Sequence, residues 1–191
     1  MKTQSMRLFI ALRPDDAAAD CLCGYIDSLR AVCERGNFTR RENLHLTLAF
    51  FGETDRLEDI RHAMDETRFP APRLSISGMG RFSRSANHGT SHSFGDIWWA
   101  GVNAQGLNEL RGGLCAALRA RSVPFDGRSF RAHITLGREV TLRAGADAAA
   151  LGSLPGVPMT VGSISLMRSQ RMRGRLVYTE IYSRPMAGPL G

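Results

Sequence analysis

Two short segments of this chain repeat the same chemistry-bearing pattern. His45-Leu46-Thr47-Leu48 matches His133-Ile134-Thr135-Leu136, and the two histidines lie 88 residues apart. Both segments sit in alternating, strand-forming sequence, Leu44 to Phe51 and Phe130 to Gly137. On a strand, successive side chains face opposite ways, so each copy presents an imidazole and a hydroxyl on one face and two aliphatics on the other. If the two strands lie side by side, four polar groups meet in one cleft. Imidazole titrates near neutrality, so one ring can act as a base while the other acts as an acid. Threonine hydroxyls donate to non-bridging phosphate oxygens. Arg138, five residues after His133, is placed to neutralise charge that develops on a phosphate. A single His-x-Thr is uninformative; two copies in one context point to acid–base chemistry on a phosphodiester.

The surrounding elements must hold those strands in place. Arg7 to Leu12 reads as a buried strand. Pro14 and Asp15 open a helix whose apolar positions Cys21, Leu22, Tyr25, Ile26, Leu29 and Val32 recur at helical spacing, with Gly36 ending the run. Gly52 closes the first motif strand. Asp55 and Glu58 have capping-box spacing ahead of a second helix reaching about Arg68. Strands are predicted over Leu74 to Met79 and Ile97 to Val102, with a polar Gly/Ser-rich loop, Arg81 to Asp96, between them. A third helix spans Leu107 to Arg121, where Gly112 and Gly113 mark either a close helix–sheet contact or a weak helix. Ala146 to Leu151 is a short helix, and Val161 to Met167 and Leu176 to Tyr182 are late strands joined by a basic turn, Arg168 to Arg175. The order is that of an α+β protein with helices packed on sheet faces. Nothing in the composition divides the chain, so a single domain over 1–191 is expected, ordered over about 6–184, with a flexible tail at 185–191.

Composition narrows the partners. The chain has 191 residues, 43% hydrophobic and 23% charged, as for a folded domain, and a net charge of +7. All but one of its 25 cations are arginine. Arginine grips phosphate oxygens in pairs, so a polyanionic partner suits this surface. Cys21, Cys23, Cys33 and Cys115 lack the paired spacing of a four-thiolate zinc site and read as reduced thiols. His88 and His92 are four apart but lie in the polar loop without a carboxylate or thiol, which makes them solvated histidines, and His62 sits on a charged helix surface. No metal site and no cofactor are expected. Trp98 and Trp99 are adjacent on a strand, so one faces each side. The cluster Arg168, Arg171, Arg173, Arg175 and Arg184, with Arg40 and Arg41 near the first motif, is either a nucleic-acid backbone contact or a solvated surface. Met1 to Met6 carries no apolar signal core, and the uncharged stretch Ala148 to Met167 is broken by Gly152, Pro155, Gly156 and Pro158. A cytoplasmic protein away from membranes, acting as a monomer, is the expectation. No G-x-x-x-x-G-K loop or G-x-S-x-G elbow is present.

The doubled His-x-Thr pattern resembles the 2H phosphoesterases, most closely their bacterial and archaeal branch, the RNA 2′,3′-cyclic phosphodiesterases or 2′-5′ RNA ligases. The likeness runs from about Met6 to Arg184, through RLFIAL-x-P, NLHLTLAFFG, IWWAGV and FRAHITLGR. It implies a bilobal α+β fold, two mostly antiparallel sheets with outer helices around a central cleft. It also implies metal-independent hydrolysis of a terminal 2′,3′-cyclic phosphate to a 2′-phosphate, with 2′-5′ ligation as a side activity. His45 would then be the proton donor to the departing 3′ oxygen and His133 the proton acceptor that activates water. Thr47, Thr135 and Arg138 would bind the phosphate. Ala132 stands where the family often has proline before the second His, which bears on local rigidity more than on chemistry. Without the resemblance, the two acid–base assignments are equivalent by symmetry. Two alternatives remain: a phosphodiesterase acting on a small cyclic nucleotide, and a non-catalytic module that binds RNA ends. The intact His pair argues against the second, because phosphate binding alone favours Arg or Lys.

Overall fold

The computed structural model describes residues 5–83, 95–146, 149 and 156–187. His88 and His92, and all but residues 146 and 149 of the short helix expected at 146–151, fall outside the described residues. Among the described residues, the strands are β1 (Met6–Leu12), β2 (Cys33–Phe38), β3 (Leu46–Thr54), β4 (Arg73–Phe82), β5 (Asp96–Gln105), β6 (His133–Leu142), β7 (Val157–Met159), β8 (Ser163–Met172) and β9 (Arg175–Pro185). Three α-helices accompany them, α1 (Asp16–Val32), α2 (Leu57–Glu66) and α3 (Leu107–Ala120).

The strands pair in the order β7-β4-β5-β6-β3-β1-β8-β9, with β2 also on β6, and every ladder is antiparallel. The two sheets expected from sequence are thus halves of one sheet. They join where the two motifs meet: β3 and β6 share a single residue pair, Leu46 with Ile134. Those are the residues that follow the histidine in each copy, so a pseudo-two-fold axis passes through the equivalent point of both motifs. One continuous core lies on the helix side of the sheet. Leu8, Ile10, Leu46, Leu48, Trp98, Ile134, Leu136 and Ile164 meet Leu22, Ile26 and Leu29 of α1, Ile60 and Met64 of α2, and Leu110 and Leu114 of α3 there. The other face carries the smaller cluster of Phe9, Ala11 and Met167 with Phe50 and Tyr178. That face holds the cleft.

Several elements differ from the sequence reading, each for a local reason. Asp15 opens α1 as expected, accepting the Ala18 N–H at 2.9 Å. The helix stops at Val32, and Cys33–Phe38 becomes an edge strand on β6. Its polar positions find partners there: Asn37 Nδ2 donates to Glu139 at 2.7 Å and Arg35 Nε to Thr141 at 3.2 Å. Asp55 does not cap α2. Arg56 occupies that position without a side-chain cap bond and donates instead to Asp59 and to the carbonyl of Arg121 at the end of α3. Gly52 does not end β3; at φ 67° it allows the strand to continue to Thr54. The basic turn shrinks to Arg173 and Gly174, both at positive φ, so Arg168 and Arg171 belong to β8 and Arg175 to β9. The tail expected to fray from Pro185 is held at first, since Met186 N–H donates to Gly162 and Ala187 N–H to Phe69. Residues 188–191 lie outside the described residues. A Cβ on Gly112 would meet nothing within 4 Å, so α3 simply tolerates a poor helix former there.

Candidate active site

Each motif strand contains a β-bulge at the same motif position. Opposite β3, Ala11 pairs with Thr47 and Ile10 with Ala49, leaving Leu48 as the extra residue. Opposite β6, Trp99 pairs with Thr135 and Trp98 with Gly137, leaving Leu136 as the extra residue. A bulge shifts the alternation by one. Arg138 is an odd number of residues from His133 and would face the core in a regular strand; the bulge turns it to the cleft. Its exposed guanidinium is close enough to depress the proton affinity of both His45 and His133. The structure therefore brings His45, His133 and Arg138 together, with Thr47 and Thr135 half-buried on the same face.

The two imidazoles are held alike. His45 Nδ1 lies 2.7 Å from the Asn43 carbonyl, and His133 Nδ1 lies 2.7 Å from the Arg131 carbonyl. A carbonyl only accepts, so Nδ1 carries the hydrogen in both rings and Nε2 is the nitrogen left for chemistry. In each copy the carbonyl comes from two residues upstream, so the segment leading into the motif strand sets the tautomer. Aromatic rings form the walls. His45 packs against Phe9 (centroids 4.8 Å) and edge-on to Tyr178 (5.1 Å). His133 packs edge-on to Phe82 (5.3 Å) and Trp99 (6.1 Å), with the Arg131 guanidinium 4.2 Å from the Trp99 ring. Arg40 and Asn43 both donate to the Leu176 carbonyl, tying β9, and with it Tyr178, to the approach of the first motif.

Burial is the main cause lowering the pKa of both rings. It takes His45 from 6.5 to about 4, against the backbone bond that favours its charged form; Arg138, His133 and Arg13 push it down further. His133 is lowered for the same first reason, with Arg138 and Arg131 adding to it. Both rings are therefore neutral at pH 7 until an anion enters. Among the described residues, no group of three or more His, Cys, Asp or Glu side chains is placed to hold a metal ion, and no helix is long and apolar enough to cross a membrane.

Sequence reasoning singled out the two histidines, both threonines and Arg138. It did not single out Asn43 or Tyr178, and it left open which of Trp98 and Trp99 faces the site. The carbonyl partner was in principle readable, because it is the same i−2 position in both copies. Tyr178 was not, because its place beside His45 depends on the pairing of distant strands. His62 is exposed on α2, as expected. All four cysteines are free thiols.

Known proteins share this sequence pattern and this fold. The sequence profile of the 2′-5′ RNA ligase superfamily matches residues 14–173. An RNA 2′,3′-cyclic phosphodiesterase of Archaeoglobus fulgidus is 31% identical over 136 residues, covering 70% of this chain and 72% of that protein. One from Methanothermobacter thermautotrophicus is 27% identical over 191 residues, covering 92% and 96%. Among solved structures, E. coli LigT complexed with 3′-AMP superposes with a TM-score of 0.71 at 22% identity, covering 96% of this chain and 98% of that one. TT0787 of Thermus thermophilus superposes with a TM-score of 0.69 at 26% identity, covering 96% and 99%. The doubled motif, the bulged strands that aim it and the profile spanning both copies lead to one assignment: this chain belongs to the 2′-5′ RNA ligase superfamily of 2H phosphoesterases.

Proposed function

We propose that this protein hydrolyses the 2′,3′-cyclic phosphate at RNA ends to a 2′-phosphate, by two-histidine acid–base catalysis without a metal ion. It acts as a single bilobal catalytic domain, a cytoplasmic monomer. The observation that carries the reading is the matched pair of imidazoles, each with Nδ1 locked to a backbone carbonyl and Nε2 free on one cleft face. The names of the curated relatives support the substrate. In the reaction, the water oxygen bonds to phosphorus as the bond from phosphorus to O3′ breaks. His133 Nε2 takes the water proton, and protonated His45 Nε2 gives its proton to O3′. Thr47 and Thr135 donate to the non-bridging oxygens, and Arg138 offsets the charge that accumulates there. His45 enters the reaction protonated because the phosphate anion brings a negative charge to a ring whose proton affinity Arg138, His133 and Arg13 otherwise depress. Run with a ribose hydroxyl in place of water, the same machinery joins 2′-5′ ends.

The test is turnover of a short RNA with a 2′,3′-cyclic phosphate end, in EDTA, with the position of the product phosphate read directly. General acid and base assistance are each worth ~10²–10⁴-fold, so His45→Ala and His133→Ala should each lose about that much in kcat while remaining folded and binding RNA. Wild-type rates in both variants would sink the proposal.

A further inference from the structure

The two motif copies differ at one cleft-facing position. Five residues after His133 stands Arg138; five residues after His45 stands Phe50, brought to the cleft by the equivalent bulge. The first half nevertheless has a cation at this place. The Arg7 guanidinium stacks on the Phe50 ring, 4.8 Å from its centroid. Arg7 is exposed and makes no ion pair among the described residues, although Glu53 lies opposite it in the β1–β3 ladder.

Hydroxyl groups flank it. Ser169 pairs directly with Tyr178 across β8 and β9. The β1–β8 ladder ends at Leu8 with Arg168, one residue short of Arg7 and Ser169. The Arg7 guanidinium lies near enough to Tyr178 for its charge to act on the phenol, and Phe50 and Tyr178 pack on the same small cluster as Phe9. The Tyr178 ring is packed on Phe9 at 4.9 Å and on His45 at 5.1 Å, and its hydroxyl has no partner among the described residues and is not sealed from solvent. A stacked guanidinium beside an unpaired hydroxyl is phosphate-binding chemistry.

We propose that Arg7 and Tyr178 hold a second phosphate, the 5′ phosphodiester of the nucleotide that bears the cyclic end, so that the site selects an RNA end over a free mononucleotide. This rests on the reading above, in which the terminal ribose lies on the His45 side because His45 protonates its 3′ oxygen. Position separates the two cations. Arg138 acts on both imidazoles and on Tyr178, whereas Arg7 acts on Tyr178 and is stacked on Phe50.

Two product-like ligands that differ by one phosphate isolate the second site: adenosine 2′-monophosphate and adenosine 2′,5′-bisphosphate. At low salt the wild-type protein should prefer the bisphosphate by about tenfold, as expected for a charge-assisted contact. Salt should shrink the preference. Arg7→Met and Tyr178→Phe should each reduce it at least threefold, with Arg7→Lys intermediate and all three folded by circular dichroism. Equal affinity of the wild type for the two ligands would overturn the proposal, as would a preference that persists in both Arg7→Met and Tyr178→Phe. Turnover of a short RNA with a 2′,3′-cyclic phosphate end by the same preparations reports on hydrolysis. Turnover without a bisphosphate preference removes only the second phosphate site. A preference without turnover removes the hydrolytic reading and leaves the site standing.

Discussion

His45 begins the reaction with its electrostatics against it. Its ring is buried, two arginines face it, and its pKa falls to about 4 from 6.5. His133 is lowered too. A lowered histidine pKa means weaker proton binding, so the singly protonated pair that acid–base catalysis needs is most populated below pH 6.5 in the free protein. The kcat/KM profile should therefore peak on the acid side, between about pH 4 and 6.5, and fall roughly tenfold per unit above it. The kcat profile should lie at higher pH, because bound phosphate restores proton affinity to the pair. Both profiles come from one set of initial rates measured from pH 4 to 8. A kcat/KM maximum above pH 7 would contradict the desolvated site. The chemical groups themselves were readable from the sequence, because His45, Thr47, His133 and Thr135 announce themselves by repetition. Their proton affinities were not, because those depend on Phe9, Tyr178, Phe82 and Trp99 closing around the rings, and these come from four different strands.

Among the elements, β4 shows how a residue with no side chain shapes the site. A Cβ on Gly80 would stand 2.1 Å from Cζ2 of Trp99, so the indole lies directly on the backbone of β4. Gly80→Ala must push Trp99 toward His133 and Arg131. The expected result is a loss of about 1–3 kcal/mol in stability and a fall in kcat of tenfold or more. Gly112→Ala on α3, in open space, should instead stabilise the protein by up to ~1 kcal/mol and leave kcat alone. Thermal melts and steady-state rates on the two variants decide both halves of this prediction. Helices α1 and α3 were readable from the recurrence of their apolar residues, and most strands from alternation. β2 and the ends of β8 and β9 were not readable for a shared reason: they are polar edge segments that take their structure from a neighbour, and no local periodicity marks them.

For the molecule as a whole, the two motif strands meet through a single backbone pair, Leu46 with Ile134, and both side chains are fully buried. The spacing of the imidazoles rests on that joint and on the shared core beneath it. Leu46→Ala should cost about 2–5 kcal/mol. It should also lower kcat at least tenfold at temperatures where melting curves show the variant fully folded, since catalytic groups displaced by about 1 Å lose rate on that scale. A folded Leu46→Ala protein with wild-type kcat would show that the joint does not set the pair. The α+β class and the pairing of the motifs followed from the sequence; the joint at one equivalent residue did not, because it exists only when both halves are assembled. The paired bulges carry a consequence for inheritance. Because Leu48 and Leu136 each supply one residue beyond the ladder, this site is encoded in segment length as much as in residue identity. Conservative exchanges within either segment leave the faces in order, but a change that flattens either bulge while keeping the segment at its present length sends Arg138, or Phe50 with the arginine stacked on it, to the core side of the sheet.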